Sequence, residues 1–383
     1  MTLPKHITDP NPFLYASKEA SYLVLDFETT NTDKGDPVNP NNRIVLYSYH
    51  YDDETDHIDV DKTLQHSIKY GEFLLGLCSD VDFIVAHNAK FEVGWLRRLG
   101  ADLTKIVVFD TMLAEYVLLG QNTKPGEYGL DLDSCLRRRG LGTKGKLVST
   151  LIKAGVCPSQ IPITWLTKYC EQDVQLTHQL FRLQLVELEQ MGLLPVFYTK
   201  CLQVPVLADI EFNGMCLDPE RVEEKYRNAN LELGQITPEL AAITGGINPN
   251  SPKQVASFLF DTLGFDEPTD ARGNPLRTAS GQRSASKDVI AKLTPSTVTQ
   301  RRFLELEAEQ SKLQSSISKY LEKFYAACKE AKGTLYATIN QAVTRTGRYS
   351  SSGKKYKCQF QNFDRTFKPL FRARTPGWYI GEA

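Results

Sequence analysis

At 383 residues the chain is long enough for two or three domains, each with its own core. Hydrophobic residues at 41% and charged residues at 24% are ordinary for a globular protein. No run of 18 apolar residues is present to span a membrane, and the eight cysteines form no CxxC pair, which argues against zinc and a disulfide framework. The start, MTLPKHITDPNPF, lacks a basic-then-apolar signal pattern, so a reducing cytoplasm is the expected setting. The formal net charge of −1 hides an asymmetry. Residues 333–383 hold nine Lys and Arg against two Asp and Glu, a local balance of +7 on an otherwise acidic chain. A polyanion partner is expected at that end.

In chain order, 22–28 (YLVLDFE) and 44–51 (IVLYSYHY) are β-rich runs joined by a polar, turn-rich stretch, which predicts a hairpin with a long connection. A helical stretch around 62–77 precedes a third apolar strand, 83–86. Alternating strands and helices up to about 190 predict an α/β domain, closed by a long helix with Thr164 as N-cap and Gly192 just past its end. Residues 195–330 become mostly helical. Ser251-Pro252 opens a helix running to Gly264, 266–286 is a polar loop, and 301–331 forms one long helix or two short ones. From 333 the pattern turns strand-like. The last twelve residues, RARTPGWYIGEA, read as a turn at Thr375-Pro376-Gly377 followed by the start of a strand, Trp378-Tyr379-Ile380.

Three groups of polar residues interrupt the apolar pattern of the first domain. Asp26 and Glu28, at i and i+2 of a strand, share one face. HNAKFE, 87–92, places Asn88 in a strand-to-helix turn and Glu92 on the first helical turn. Tyr169 and Asp173 are an i,i+4 pair on one face of the long helix. In this order the three groups resemble the motifs of the DEDD 3′→5′ exonucleases, in the subtype with a tyrosine in the third motif. Two carboxylates ~5 Å apart repel by roughly 3 kcal/mol at an effective dielectric of about 20, so such a cluster calls for protons or divalent cations. Oxygen-only donors favour two Mg²⁺ or Mn²⁺ ions. The resemblance implies that Asp26 bridges the metals, that Glu28 and Asp173 hold the ion carrying the attacking water, and that Tyr169 orients that water. Glu92 stands where the family usually has Asp, and its extra methylene leaves its reach to the second ion, and hence the rate, to be tested.

Beyond this domain, 251–265 and 277–293 look like thumb segments of family A DNA polymerases, the group of bacterial DNA polymerase I and many phage enzymes. TRTGRYSS (344–351) is similar to that family's T-x-T-G-R-L-S-S, with Tyr349 for leucine, and QFQNFD (359–364) keeps the Gln361-Asn362 of N-L-Q-N-I-P. The resemblance implies a ribonuclease H-like exonuclease domain over 1–192, a mostly helical thumb over 193–332, and the first strands of an α+β palm over 333–383. It also implies a cell that is bacterial or phage-infected. Contacts to single-stranded 3′ ends and primer–template DNA are expected from Asn88, Arg345, Thr346, Arg348, Ser350, Ser351, Lys354, Lys355, Lys357, Gln361, Asn362 and Lys368. In the family the strand similar to GWYIGEA runs into motif A, whose aspartate binds the polymerase metals. A second polypeptide supplying the rest of palm and fingers is therefore expected, and primer extension is not expected without it. The competing readings are a self-sufficient exonuclease with a DNA-binding tail, and a non-catalytic DNA-binding or clamp subunit whose exonuclease has decayed.

Overall fold

The computed structural model describes residues 11–16, 20–51, 54–59, 67–120, 129–248, 251–278, 280–352, 360, 363–378 and 380. Lys354, Lys355, Lys357, Gln361, Asn362 and Tyr379 lie outside the described residues. Contacts divide the chain into two units, one of residues 1–214 with 336–362, the other of 215–335 with 363–383.

The first unit is built on a five-stranded sheet. Its strands are β1 (Tyr22–Thr29), β2 (Ile44–Tyr51), β3 (Glu54–Asp59), β4 (Phe83–Ala86) and β5 (Val108–Asp110), in the order β3-β2-β1-β4-β5. β1 and β2 form the expected antiparallel hairpin, while β4 and β5 run parallel to β1. β1 is therefore central, and Leu23, Val24, Leu25 and Phe27 are all buried, as a strand covered on both faces requires. The helices of this unit are α1 (Ser67–Ser79), α2 (Lys90–Arg98), α3 (Thr111–Leu118), α4 (Leu132–Arg139), α5 (Lys146–Lys153), α6 (Ile163–Gln190) and α7 (Leu194–Asn213).

α6 lies over β1 and β2, with Leu166, Cys170, Asp173, Val174, Thr177, Leu180 and Phe181 recurring on its buried face at helical spacing. It begins one residue before Thr164, at Ile163, with Pro162 in the N-cap position and no side-chain cap, so the expected Thr164 cap is corrected. The proline sets the entry: Trp165 and Leu166 both donate to its carbonyl. At the other end Gly192 takes a left-handed φ of 68°, as expected past a helix end. α7 packs on α2 and β5, burying Phe197, Cys201, Val204 and Ala208. That burial carries the first unit to Gly214, beyond the 192 read from the sequence. Buried Glu115 on α3 accepts from Arg138, Arg139 and Gln184, locking α3, α4 and α6 together.

Residues 336–362 also belong to this unit. Strands β8 (Thr338–Asn340) and β9 (Ser350–Ser352) pair antiparallel, and Glu211 on α7 accepts from Lys90 and from the Ile339 N–H. Tyr116 donates to the Thr344 carbonyl at 2.6 Å.

The second unit holds a two-stranded ribbon, β6 (Met215–Cys216) with β7 (Thr334–Leu335), and helices α8 (Pro219–Thr244), α9 (Pro252–Ser257), α10 (Lys287–Ile290), α11 (Val298–Ser316) and α12 (Glu322–Glu330). Residues 258–262 and 317–321 are π-helical, so α9 continues toward Gly264 and α11 runs into α12 as one rod. Ile236, Leu240, Phe258, Leu259, Phe303 and Leu306 form the core between α8 and α11. Near the end of the chain, Trp378 N–H closes the Thr375-Pro376-Gly377 turn on Thr375, with Gly377 at φ 82°. The expected strand is not found at Trp378 or Ile380, where the backbone makes no ladder pair.

Candidate metal centre and nucleic-acid interface

Each of the three polar groups is positioned by the element that carries it. Asp26 and Glu28 leave the sheet on the same face of β1, and the register slips just after Glu28, where a bulge bends the strand end. Asn88 occupies the turn between β4 and α2 at φ 63°, a left-handed conformation that Asn tolerates better than most residues. Glu92 follows on the first turn of α2, 4% exposed. Tyr169 and Asp173 face the sheet from α6, Asp173 at 3% exposure.

These residues form one electrostatic cluster. Burial raises Glu28 well above the ordinary carboxylate range, and the charges of Asp26 and Asp173 raise it further. Glu92 is raised in the same way, by burial first and then by Asp26, Asp110 and Glu28. The charges of the other carboxylates are thus felt at Glu92. Asp26 is also raised by burial, against the pull of Lys144 and Cys170, and Asp173 is pushed up to about 7 by burial and by Asp26. Glu92 Oε2 and Asp173 Oδ1 are buried oxygens with no hydrogen-bond partner. Unpaired buried carboxylate oxygens are costly, which favours either protonation or a bound cation.

The cluster includes three residues that the motifs did not name. Cys170 is one. Its thiol donates to Asp26 Oδ2 at 3.3 Å, and a donor atom each from Asp26, Glu28 and Cys170 lie within 4.8 Å of one another. Cys170 falls three residues before Asp173 on the same buried helix face, and burial pushes its thiol well up, so it stands beside the carboxylates as a protonated hydrogen-bond donor. Lys144 is the second, paired with Asp173 and donating to Tyr169 Oη at 3.2 Å. The third is Asp110, which accepts from the N–H groups of Asn88, Ala89, Met112 and Leu113 and ties the Asn88 turn to the start of α3. Phe-Asp-Thr at a strand end is a readable N-cap signal, so Asp110 was open to detection. Lys144 carries no such signal.

Of the expected DNA contacts, Arg345, Thr346 and Arg348 are exposed on the loop that follows β8, and Ser350 and Ser351 are half-buried on β9. Gly347, at φ 72°, donates to the Thr344 carbonyl, so the glycine of the TRTGR stretch makes a tight turn that throws the flanking arginines outward. Lys200, Gln203, Arg348 and Tyr349 line a cavity of about 750 Å³ within the first unit. Lys368 is exposed and belongs to the second unit. Asn88 lines a separate cavity of about 300 Å³ together with Lys34, Phe91, Phe212 and Asn340.

An α/β unit bearing a buried carboxylate cluster, joined to a mostly helical unit with a basic segment, is the class of protein that these features define. A sequence model of DNA polymerase family A matches residues 219–376. The chain is 27% identical to DNA polymerase I of Pseudomonas aeruginosa over 276 residues, which covers 70% of this chain and 28% of that one. It is 26% identical to the DNA polymerase of Escherichia phage T5 over 327 residues, 78% of this chain and 36% of that one. To DNA polymerase I of Aquifex aeolicus it is 27% identical over 386 residues, 95% and 58% respectively. The chain thus spans less than two thirds of these relatives. In fold it is similar to the POL domain of Pol1 from M. smegmatis, solved in complex with DNA primer-template and dNTP. The TM-score is 0.67 at 18% identity, over 93% of this chain and 55% of that one. No helix among the described residues is long and apolar enough to cross a membrane.

Proposed function

We propose that this family A polymerase-like chain carries a metal-dependent 3′→5′ exonuclease site in its first unit and holds primer–template DNA through its basic residues, a proofreading arrangement for DNA replication. The observation that carries the reading is that Asp26, Glu28, Glu92 and Asp173, from three separate segments, lie within electrostatic reach of one another, the last three buried, with unpaired oxygens on Glu92 and Asp173. The sheet order β3-β2-β1-β4-β5, with the first three strands antiparallel, supports taking this unit as ribonuclease H-like.

The donor set fits Mg²⁺ or Mn²⁺, because its carboxylates are hard oxygen ligands on rigid elements. On this reading Asp26, Glu28, Asp173 and Glu92 would hold the ions between them. When bound, two such ions supply a polarised water and neutralise charge on the phosphodiester. The chain's own part is to position and to orient. Tyr169 presents its hydroxyl beside Asp173, where it can direct a water at the phosphorus. Burial of the carboxylates keeps bulk water from screening their charge.

The test is the removal of 3′-terminal nucleotides from labelled single-stranded DNA by the 383-residue chain with Mg²⁺ or Mn²⁺. Asp26→Ala and EDTA should each abolish it. Degradation by Asp26→Ala at the wild-type rate would mean the site is misassigned.

A further inference from the structure

Lys144 is turned into the carboxylate cluster by a loop pinned on both sides. Its own N–H donates to Asp133 Oδ1 at 3.1 Å, and the next N–H, that of Gly145, donates to Gln172 Oε1 at 3.0 Å. The first contact ties the loop back to α4 and the second ties it to α6. A side chain at Gly145 would stand 3.3 Å from that Gln172 oxygen, so the tight approach suits glycine. The Lys144 side chain is 18% exposed, and its ammonium pairs with Asp173 Oδ2, donates to Tyr169 Oη and lies 5.0 Å from the centre of the Tyr169 ring. The other oxygen of the same carboxylate, Asp173 Oδ1, is buried without a partner. One oxygen of a candidate metal ligand is thus covered by a fixed cation and the other is bare.

We propose that Lys144 is a tethered counter-cation for the Asp173 arm of the metal site, and that a divalent ion taking the bare Asp173 Oδ1 binds against its positive charge. The proposal rests on the exonuclease reading. Without a divalent ion, the ammonium offsets repulsion among the four carboxylates and keeps the α6 ligand in place. With one, the ion would take the bare Asp173 Oδ1 while the ammonium stays on Oδ2 of the same carboxylate, and the two positive charges repel each other across it. The site is therefore less avid for metal than its carboxylates alone would make it, and more stable when empty.

Mn²⁺ binding to the full chain, followed by loss of the free-ion electron paramagnetic resonance signal at about pH 8, tests this without an activity assay. Lys144→Met should bind Mn²⁺ about 10-fold more tightly than wild type, and should melt at a lower temperature without metal. Lys144→Arg keeps the charge and should stay within about twofold of wild type. Lys146→Met removes an exposed charge two residues away and should shift affinity by less than about twofold. Should Lys144→Met not fold, Lys144→Gln, which retains a donor for Tyr169, takes its place. Folded Lys144→Met that binds Mn²⁺ no more tightly than wild type, or no more tightly than Lys146→Met, overturns the proposal. Mn²⁺ uptake by wild type that Asp26→Asn leaves unchanged would instead overturn the exonuclease reading, and the proposal with it.

Discussion

The carboxylate of Asp110 accepts the backbone N–H of Asn88 at 2.9 Å while also capping the start of α3 through Met112. One side chain thereby joins the end of β5 to the turn that precedes α2, and it is from that turn that Glu92 is aimed. Asp110→Ala removes the acceptor of four backbone donors. Loss of the cap and burial of unpaired N–H groups should together cost about 2–4 kcal/mol, read as a lowered thermal midpoint. Exonuclease activity should fall by more than the unfolded fraction explains, because Glu92 loses its fixed approach. A variant as stable as wild type would show that water or other groups replace the carboxylate.

Glu92 is the position at which the chain departs from the exonuclease pattern, and its burial argues against a solvated surface role. An idle surface glutamate would be solvated, yet this one is 4% exposed with an unpartnered oxygen. Glu92→Asp should retain or raise the rate of nucleotide removal. Glu92→Ala should lose at least ~100-fold, a few kcal/mol of transition-state stabilisation. Wild-type rates from the alanine variant would remove Glu92 from the catalytic set.

Much of this was legible in the sequence, for physical reasons that differ by residue. The hairpin of β1 and β2 and the strand at 83–86 follow from β-rich runs bounded by turn residues, and Asn88 and Glu92 from a strand-to-helix junction. What was not legible depends on contacts distant in sequence. Thr164 is a good capping residue, but Pro162 ends the preceding turn earlier and starts the helix at Ile163. Cys170 looked like one of several scattered cysteines until α6 laid it against Asp26. Lys144 lies in a Gly- and Lys-rich loop whose composition predicts solvent exposure. Only the paired backbone contacts to Asp133 and Gln172 turn it inward. Likewise, nothing in residues 194–213 marks them as part of the first unit until Phe197 and Val204 meet its core.

The metal-free protein should lose stability as pH rises. Asp173 titrates at about 7 in the folded chain, against 3.8 when unperturbed, because burial and the Asp26 charge disfavour its ionised form. Between those values the folded state holds a proton that the unfolded chain has released. Stability therefore falls through that window by up to about 1.4 kcal/mol per pH unit for each such group. Glu28 and Glu92, also raised, act in the same direction. Melting temperatures in EDTA should decline from about pH 5 to about pH 8, and Mg²⁺ should recover most of the loss at the upper end. Asp173→Asn should flatten the decline. A midpoint that rises across this range in EDTA would mean the carboxylates are already paired.

The basic loop after β8 gives a prediction independent of the carboxylates. Arg348 is exposed beside Tyr349 and shares the 750 Å³ cavity with Lys200, which comes from α7. Two cations from segments far apart in sequence, facing one open cavity, suit a phosphate backbone better than any single base. Each phosphate neutralised releases condensed counterions, so affinity for primer–template DNA should fall steeply with salt. Arg348→Ala and Lys200→Ala should each weaken binding to all sequences alike and reduce the slope of log affinity against log salt by about 1. Combined, they should act additively if they contact different phosphates. The 3′→5′ removal of nucleotides from short single strands, which needs only the carboxylate cluster, should change much less. Binding of primer–template DNA with an unchanged salt slope in the double variant would place the DNA elsewhere on the chain.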